Sequence, residues 1–542
     1  MNIKQLKELA DNLYSKRSSL NSLWQEIADN FYPERAHFTL KRSVGTDFAA
    51  HLLSSYPIMC RRDLANQFST MLRPSARKWF HTRIRYEDVK DNETKEYLEW
   101  FERVQRRAMY HPDSQFVRAA REGDHDIAAF GQCAISTELN KEGDGLLYRN
   151  WFLGDMAWVE NSGGKIGSRF RKWKPSARIL VDSFPKGSMH AQVLRTLEKN
   201  PFDEIEVMHM VVESSMFDEK TNYPWYHIWY DCSHEHVIEK TPSWNGYYVI
   251  PRWQTVSGSQ YSYSPATVAA LPDSRLLQAM TFTLLEAGEK ANNPPIVATQ
   301  DAVRSDVAIY AGGITWVDYE YDERTGEALR AITQDLRGFN YGLQMVQDVR
   351  LMIQKAFFLD TLTMPQRAPE MTAYEVGQRI QEYIRNALPL FEPLEIEYNA
   401  AICNNTFDIM RRSGGFGDQR TWPIKLQGSE IEFHFESPLH DVIEQQKATV
   451  YQQALGLLAN AVALDPSLSA VPKAEVALRD ALTAIGAPAE WMNSEADVAE
   501  SRQRAQEQQQ AQALLSQLQQ GSEVVKNMGG VQQRAQPQPA LI

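Results

Sequence analysis

Three short clusters in this 542-residue chain carry residue types that could do chemistry. His234-Glu235-His236 puts two imidazoles and a carboxylate in consecutive positions, and these are donors that zinc accepts. Their i, i+2 spacing suits a strand that carries both rings on one face, but no third His, Cys or carboxylate stands at a standard offset, so no metal centre is expected. Asp124-His125-Asp126 could move protons, yet it falls inside a helical pattern and reads as a solvated turn of that helix. Gly163-Gly164-Lys165-Ile166-Gly167-Ser168 lacks the GxxxxGK[ST] spacing of a phosphate cradle and the hydrophobic strand before it, so it reads as a turn with one surface lysine. Cys60, Cys133, Cys232 and Cys403 lie far apart with no CxxC pair, which argues against a zinc site and against a disulfide framework. No GxSxG elbow and no Cys–His constellation stands out. The expectation is a protein without catalytic residues, metal or cofactor.

The elements that would position such residues follow from composition and periodicity. At 62.0 kDa and 43% hydrophobic residues, the chain can bury several cores. Against 57 Lys and Arg stand 69 Asp and Glu, and the net charge of −12 excludes a protein that coats nucleic acid through its overall field. No apolar run approaches the ~18 residues of a spanning helix, and the first residues lack the apolar core of a signal peptide. A soluble protein made in a reducing cytosol is expected.

Helical spacing runs over 1–31 up to Pro33, over about 48–72 up to Pro74, and over 93–131. From 132 to 260, β-branched and aromatic runs such as 226–230 and 246–250 predict antiparallel strands. Two helices of similar length, from Ser274 to about Ala291 and from about Asn340 to Leu359, bracket an αβ insert of about 40 residues. A polar break with Pro365 and Pro369 follows, then a long helix from Thr372 to about Arg412, a Gly-rich turn at 414–417 and a strand at 430–435. The last part is helical, with a stripe through Val450, Leu455, Leu458 and Val462. Nine of the twenty residues 501–520 are Gln, a composition that predicts a loose coil or a helical coil in an oligomer, with disorder beyond 527. The fold class expected is α+β, mainly helical.

Several short segments, in order along about 380 residues, resemble the portal, or head-to-tail connector, proteins of short-tailed bacteriophages. Arg62-Asp63-Leu64-Ala65 through Leu72-Arg73-Pro74 to Trp79-Phe80 is similar to the family's helix–proline–aromatic segment. Ser114-Gln115-Phe116 and Ala129-Phe130-Gly131 match the phenylalanine and the FG step that follow. The run from Gly258 through Ser264-Pro265 to Leu271-Pro272-Asp273 resembles the lead into the first stem helix, with Ser262 and Tyr263 where Gly and Arg are common. Asn293-Pro294-Pro295, Met371-Thr372-Ala373-Tyr374-Glu375-Val376 with Arg379, and Ser437-Pro438-Leu439 resemble the stem exit, a helix start and the opening of the crown.

The resemblance implies a portal fold: wing at 1–272, stem helix 1 at 273–292, clip at 293–338, stem helix 2 at 339–360, tunnel loop at 361–371, a further wing helix and strand at 372–436, crown at 437–496 and the Gln-rich tail at 497–542. It implies a ring, expected to be a dodecamer, at one capsid vertex of the virion, at the head–tail junction, assembled in the host cytoplasm. Such a ring serves genome packaging and ejection as a conduit for double-stranded DNA. Its implied partners are the terminase large subunit, capsid and scaffolding proteins and a tail adaptor, with no membrane. Arg350 and Lys355 on stem helix 2 and Gln366 and Arg367 in the tunnel loop are the DNA-facing candidates; the plainer reading of the two helix cations is pairing with Asp348 or a neighbouring stem. The clip stretch 296–336 carries eight acids against three arginines, so Asp318, Glu320, Asp322 and Glu323 are candidates for docking a motor or an adaptor by electrostatic steering; solubility of an exposed module is the other reading. Outside the family, a ring-forming tail adaptor would be shorter and lack the helix pair, and a packaging nuclease or ATPase would need the phosphate loop or carboxylate cluster that is missing here.

Overall fold

The computed structural model describes every residue except 42, 44, 46, 76–77, 86–90, 220, 293–295, 299–315, 317–328, 332–338, 363–372, 436–449, 462–472, 486–490, 494–497 and 513–542. The N-terminal helical pattern is two helices, α1 (Ile3–Lys16) and α2 (Ser18–Phe31). Asn2 starts α1 with a capping box, its side chain accepting from Gln5 N while the Gln5 side chain accepts from Asn2 N. The break falls at Arg17, whose buried guanidinium donates to the carbonyls of Leu153, Gly154 and Met156. Satisfying that buried cation sets the turn, and no local periodicity signals it.

Helix α3 (Tyr56–Leu72) starts eight residues later than 48, because Pro57 fits only the first turn of a helix. Strand β1 (Phe80–Ile84) and helix α4 (Asn92–Met109) follow. The helical stretch 93–131 is broken: Pro112 lies in a short 3-10 turn, and Gln115 takes a left-handed φ of 58° before α5 (Phe116–Phe130).

The strand region is as patterned. Strands β2 (Ile135–Leu139) and β3 (Leu146–Asn150) form a hairpin. Strands β4 (Met156–Glu160), β5 (Ile166–Trp173), β6 (Val207–Glu213), β7 (Trp225–Asp231) and β8 (His236–Ser243) form an antiparallel five-stranded sheet in chain order. Two helices that the sequence pattern does not reveal, α6 (Ala177–Ser183) and α7 (Ala191–Lys199), interrupt it after β5. Alternation along β6 explains why both faces are buried. Met208, Met210 and Val212 pack against Leu6, Ala10 and Leu13 of α1. Val207, on the other face, packs with Leu180 of α6, Val193 of α7 and Ile238. Strand β9 (Tyr248–Val249) adds to β2, and β10 (Gln254–Thr255) pairs with β11 (Ser262–Tyr263).

Next come helix α8 (Pro265–Asn292), strands β12 (Ile296–Ala298) and β13 (Leu329–Ala331), and helices α9 (Phe339–Ala356), α10 (Leu359–Leu362), α11 (Ala373–Leu394) and α12 (Ala401–Ser413). Between α11 and α12 lies a π-helical segment, Glu395–Ala400, so the long expected helix is present with an inserted bulge. Gly414 ends it at φ 83°. The expected strand is β14 (Ile431–Phe435), paired antiparallel with β1 so that Phe80 faces Phe435 and Ile84 faces Ile431. Helices at 450–461, Ala474–Ala484 and 498–512 are described beyond it.

Two compact units result. One holds Met1–Trp79 and Gln105–Gly415 and contains both larger sheets. The other holds Phe80–Val104, Phe416–Glu436 and the later residues. Its core is aromatic: Phe101 sits 5.0 Å from Phe416 and 4.8 Å from Trp422, centroid to centroid, beside the β1–β14 pair.

Candidate functional site

Helices α8 and α9 pack along each other as a hairpin, and the β12–β13 ladder, Ile296 facing Ala331, falls between them in the sequence. Helix α8 begins at Pro265, nine residues before Ser274, and runs through Pro272 instead of starting after it. At 28 residues it is about 42 Å long. Near the tip the helices close on a glycine: a Cβ on Gly342 would meet Leu284 Cδ2 at 2.9 Å.

The base of the hairpin is tied down by polar side chains. Gln278 Oε1 accepts from Leu53 N (2.8 Å) and Ser54 N (2.9 Å), and its Nε2 donates to Ser54 O. Ser274 Oγ donates to Asn30 Oδ1 at 3.0 Å, and Arg275 Nε donates to Glu26 at 2.7 Å. On α9, Val346, Val349, Ile353 and then Phe357 form the buried stripe. From Gln278 to Asn292 no residue of α8 is buried. Instead the pair exposes Leu276, Phe282, Leu285, Tyr341, Leu343, Met345, Leu351 and Met352, each at least 44% accessible. Eight large apolar side chains on one helix pair form a surface that a monomer does not leave in water without reason.

Arg350 and Lys355 are both exposed on α9, and neither has an ion pair among the described residues, Asp348 included. Five residues apart on a helix, they point about 140° away from each other. Arg350 lies 5.6 Å over the Tyr56 ring, and Tyr56 donates to Gln354 Oε1 at 3.4 Å. Burial, with Cys60 beside it, pushes the Tyr56 hydroxyl up to about 12, so it remains a donor. Arg350 therefore belongs to the helix's supported flank and Lys355 to its open side. Gln366 and Arg367, Thr372 at the expected helix start, Asp318, Glu320, Asp322 and Glu323 lie outside the described residues, as does Ser437-Pro438-Leu439.

The three clusters with chemical potential resolve into structure. Asp124 and Asp126 are 1% exposed, not solvated. Arg73 pairs with Asp124 and donates to Asn399 Oδ1 at 2.9 Å; Ser69 Oγ donates to Asp124 at 2.6 Å. Although burial opposes it, the Asp124 carboxylate holds the Arg73 guanidinium protonated. Arg35 and Asn150 serve Asp126 at 3.2 and 2.7 Å. Helix α5 turns these acids into the core because Ser69, Arg73 and Arg35 are there to receive them. His234-Glu235-His236 lies in the β7–β8 turn, with Glu235 at φ 49°, His234 Nδ1 2.7 Å from Asp231 and His236 Nε2 2.9 Å from Ser188 O. The two imidazoles thus have separate hydrogen-bond partners, and the fold brings a third ring, His190, to 4.8 Å from His234 and 5.8 Å from His236, centroid to centroid. Among the described residues no three His, Cys, Asp or Glu are grouped to hold a metal. The glycine cluster is the β4–β5 turn, organised by Asn161 Oδ1, which accepts from Gly163 N and Lys165 N.

The segments that carry the family resemblance interlock. Gly131 sits at φ 76°, and a Cβ there would stand 2.1 Å from the Tyr263 carbonyl carbon. Its carbonyl accepts from Trp253 N at 2.8 Å and Ser262 Oγ at 2.5 Å, while Ser264 Oγ and Thr267 Oγ1 donate to the carbonyls of Ala128 and Ala129. These hydroxyls donate to the carbonyls left open at the end of α5 and fasten them to the start of α8. The π segment does a parallel task at three successive residues. Glu397 binds Arg252 (2.8 Å), Tyr398 donates to Ala120 O (3.2 Å), and Asn399 accepts from Arg73 and donates to Leu72 O.

Known proteins match over nearly the whole chain. The bacteriophage head to tail connecting protein family matches residues 3–492. A probable portal protein of Bordetella phage BPP-1 is 23% identical over 533 residues, 96% of this chain and 94% of its own length. A portal protein of Salmonella phage epsilon15 is 23% identical over 479 residues, 85% and 83% of the two chains. Among solved structures, a chain of the virion of a native gene transfer agent particle aligns at TM-score 0.35 and 10% identity, over 74% of this chain and 85% of that one. A chain of the neck of an empty gene transfer agent particle aligns at TM-score 0.35 and 11% identity, over 72% and 84%. No helix among the described residues is long and apolar enough to cross a membrane. With the family match spanning the two helices, both larger sheets and the interlocked segments, the chain belongs to the bacteriophage head to tail connecting protein family.

Proposed function

We propose that this connector works as a portal: a ring, twelve-fold in its expected form, that sits at one capsid vertex at the head–tail junction and passes double-stranded DNA during packaging and ejection. The observation that carries the reading is the α8–α9 hairpin, anchored at its base and exposing eight large apolar side chains along its length. Copies arranged about an axis bury those faces against their neighbours and leave the hairpins side by side around a channel. In this reading α8 and α9 are the stem, residues 293–338 the clip, 361–371 the tunnel loop, 437–496 the crown and the sheets before 272 the wing. The role is mechanical, with no catalysis of its own.

Lys355, on the open side of α9, is the better-placed of the two helix cations to meet DNA, and Arg350 supports the helix base. Gln366 and Arg367 would touch DNA from the tunnel loop. Asp318, Glu320, Asp322 and Glu323 would steer the terminase large subunit and later the tail adaptor onto the clip; scaffolding and capsid proteins would meet the wing. A net charge of −12 suits a conduit, because a channel that bound phosphate tightly in every subunit would stall a sliding duplex. Negative-stain imaging of the purified full chain tests the reading. Mushroom-shaped rings with a central hole are expected, and a homogeneous monomer at micromolar concentration would overturn it.

A further inference from the structure

Two cavities of about 530 and 660 Å³ adjoin at the first turns of α5 and share four lining residues, Tyr110, Phe116, Val117 and Arg121. The floor is apolar: the Phe116 ring lies 5.4 Å from Tyr110, and Val117 at the lip is 59% exposed. The exposed cation that lines both cavities is Arg121; Arg62 lines neither but its charge acts on His125 beside them, and neither arginine has an ion pair among the described residues. His125 lines the smaller cavity, with Arg61 Nη1 2.6 Å from its Nδ1. Burial, and then the charges of Arg61, Arg121 and Arg62, pull His125 down to about 4, so the ring stays neutral and reports a positive field at this point of an acidic chain. Arg118 and Glu122 neutralise each other nearby at 3.0 Å and leave that field to the other arginines.

We propose that this groove docks a peptide segment of a partner protein in which a large apolar side chain stands beside carboxylates. The apolar group would cover Phe116 and Val117, and the carboxylates would meet Arg121 and Arg62. Charge complementarity with Arg121 favours an acidic occupant over a basic or neutral one. The apolar floor favours peptide over nucleic acid: a DNA backbone would leave Phe116 and Val117 in water and find only two unpaired cations, too few for more than a shallow salt dependence. Aromatic and Arg side chains around a concave patch are also the composition of binding hot spots. The groove lies within one chain, so its test does not depend on ring formation.

The test is fluorescence anisotropy on the full-length protein. The probe is a fluorescein-labelled heptapeptide with one tryptophan between two acidic pairs. Saturable binding is expected. Arg121→Glu should weaken it about tenfold or more, Val117→Asp by a similar factor, and replacing the probe's tryptophan with glycine should weaken it as well. Both substitutions are at exposed positions, and an unchanged thermal midpoint checks the fold; Arg62→Ala with Arg121→Ala is the milder second variant. Binding that is equal in wild type and both arginine variants overturns the proposal. So does a 20-base-pair DNA duplex that displaces the peptide, which would assign the groove to nucleic acid.

Discussion

At the scale of single residues, the molecule places charge inside and matches it. Arg73 and Asp124 have side chains 4% and 1% exposed, so removing one partner strands the other away from water. Asp124→Ala is expected to cost about 3–5 kcal/mol, and Asp124→Asn less, because the amide oxygen still accepts from Arg73 while its NH2 can donate to Ser69 Oγ. Denaturant midpoints of the two variants check this. Histidines give a second expectation. Burial and neighbouring arginines hold His125 at about 4, and burial holds His227 at about 4, both below the ordinary 6.5. Between those values the unfolded chain binds protons that the folded chain refuses. Stability should therefore be full above about pH 6.5 and fall as pH drops toward 4. A melting series from pH 7.5 to 4.5 should show the decline, and His125→Gln with His227→Gln should flatten it relative to wild type.

At the scale of elements, two junctions decide how the helices meet. The α5–α8 junction depends on Gly131, whose φ of 76° and 2.1 Å approach to Tyr263 backbone leave no room for a side chain. Gly131→Ala should fail to give soluble protein or should melt well below wild type, whereas Gly143→Ala, in an open turn at φ 78°, should cost only the left-handed strain. The α8–α9 hairpin carries the complementary expectation. Phe282 and Leu285 are 59% and 52% exposed, so Phe282→Asp with Leu285→Asp should leave the melting temperature of the isolated subunit nearly unchanged while abolishing higher assembly. Sedimentation velocity distinguishes the outcomes: a variant that still sediments as a large oligomer would show that these faces are not the contact.

At the scale of the whole molecule, the Gln-rich C-terminal region is expected to contribute little to folding. Residues 498–512 are helical and exposed from Ala499 onward, and 501–520 is nearly half Gln. Truncation after residue 496 is expected to leave assembly intact, and rings lost in that variant, seen by light scattering, would make the tail structural. Helix 450–461 differs in keeping large apolar side chains exposed: Val450, Leu455 and Leu457 are accessible at 61%, 43% and 73%.

Periodicity and punctuation alone determined many element types: the strand-rich middle, the pair of helices on either side of 293–338, the long helix before Gly414 and the β14 strand are present among the described residues. These are local properties, since side-chain period and proline geometry act within a few residues. The short segments that carried the family resemblance were legible for the same reason, and the fold shows what they do: Gly131, Ser262 and Ser264 meet at one joint. What only the tertiary structure decided depends on partners far away in sequence. Asp124 and Asp126 read as solvated because nothing near them announces Arg73 or Arg35. The break at Arg17 answers carbonyls at 153–156, and the π segment at 395–400 answers Arg252, Ala120 and Arg73. Helix α8 continues through Pro272 because hydroxyls reaching back to α5 hold its earlier start. A buried charge or an opened helix turn is stable only once its distant partner is in place, and that information exists in the fold and not in any window of the chain.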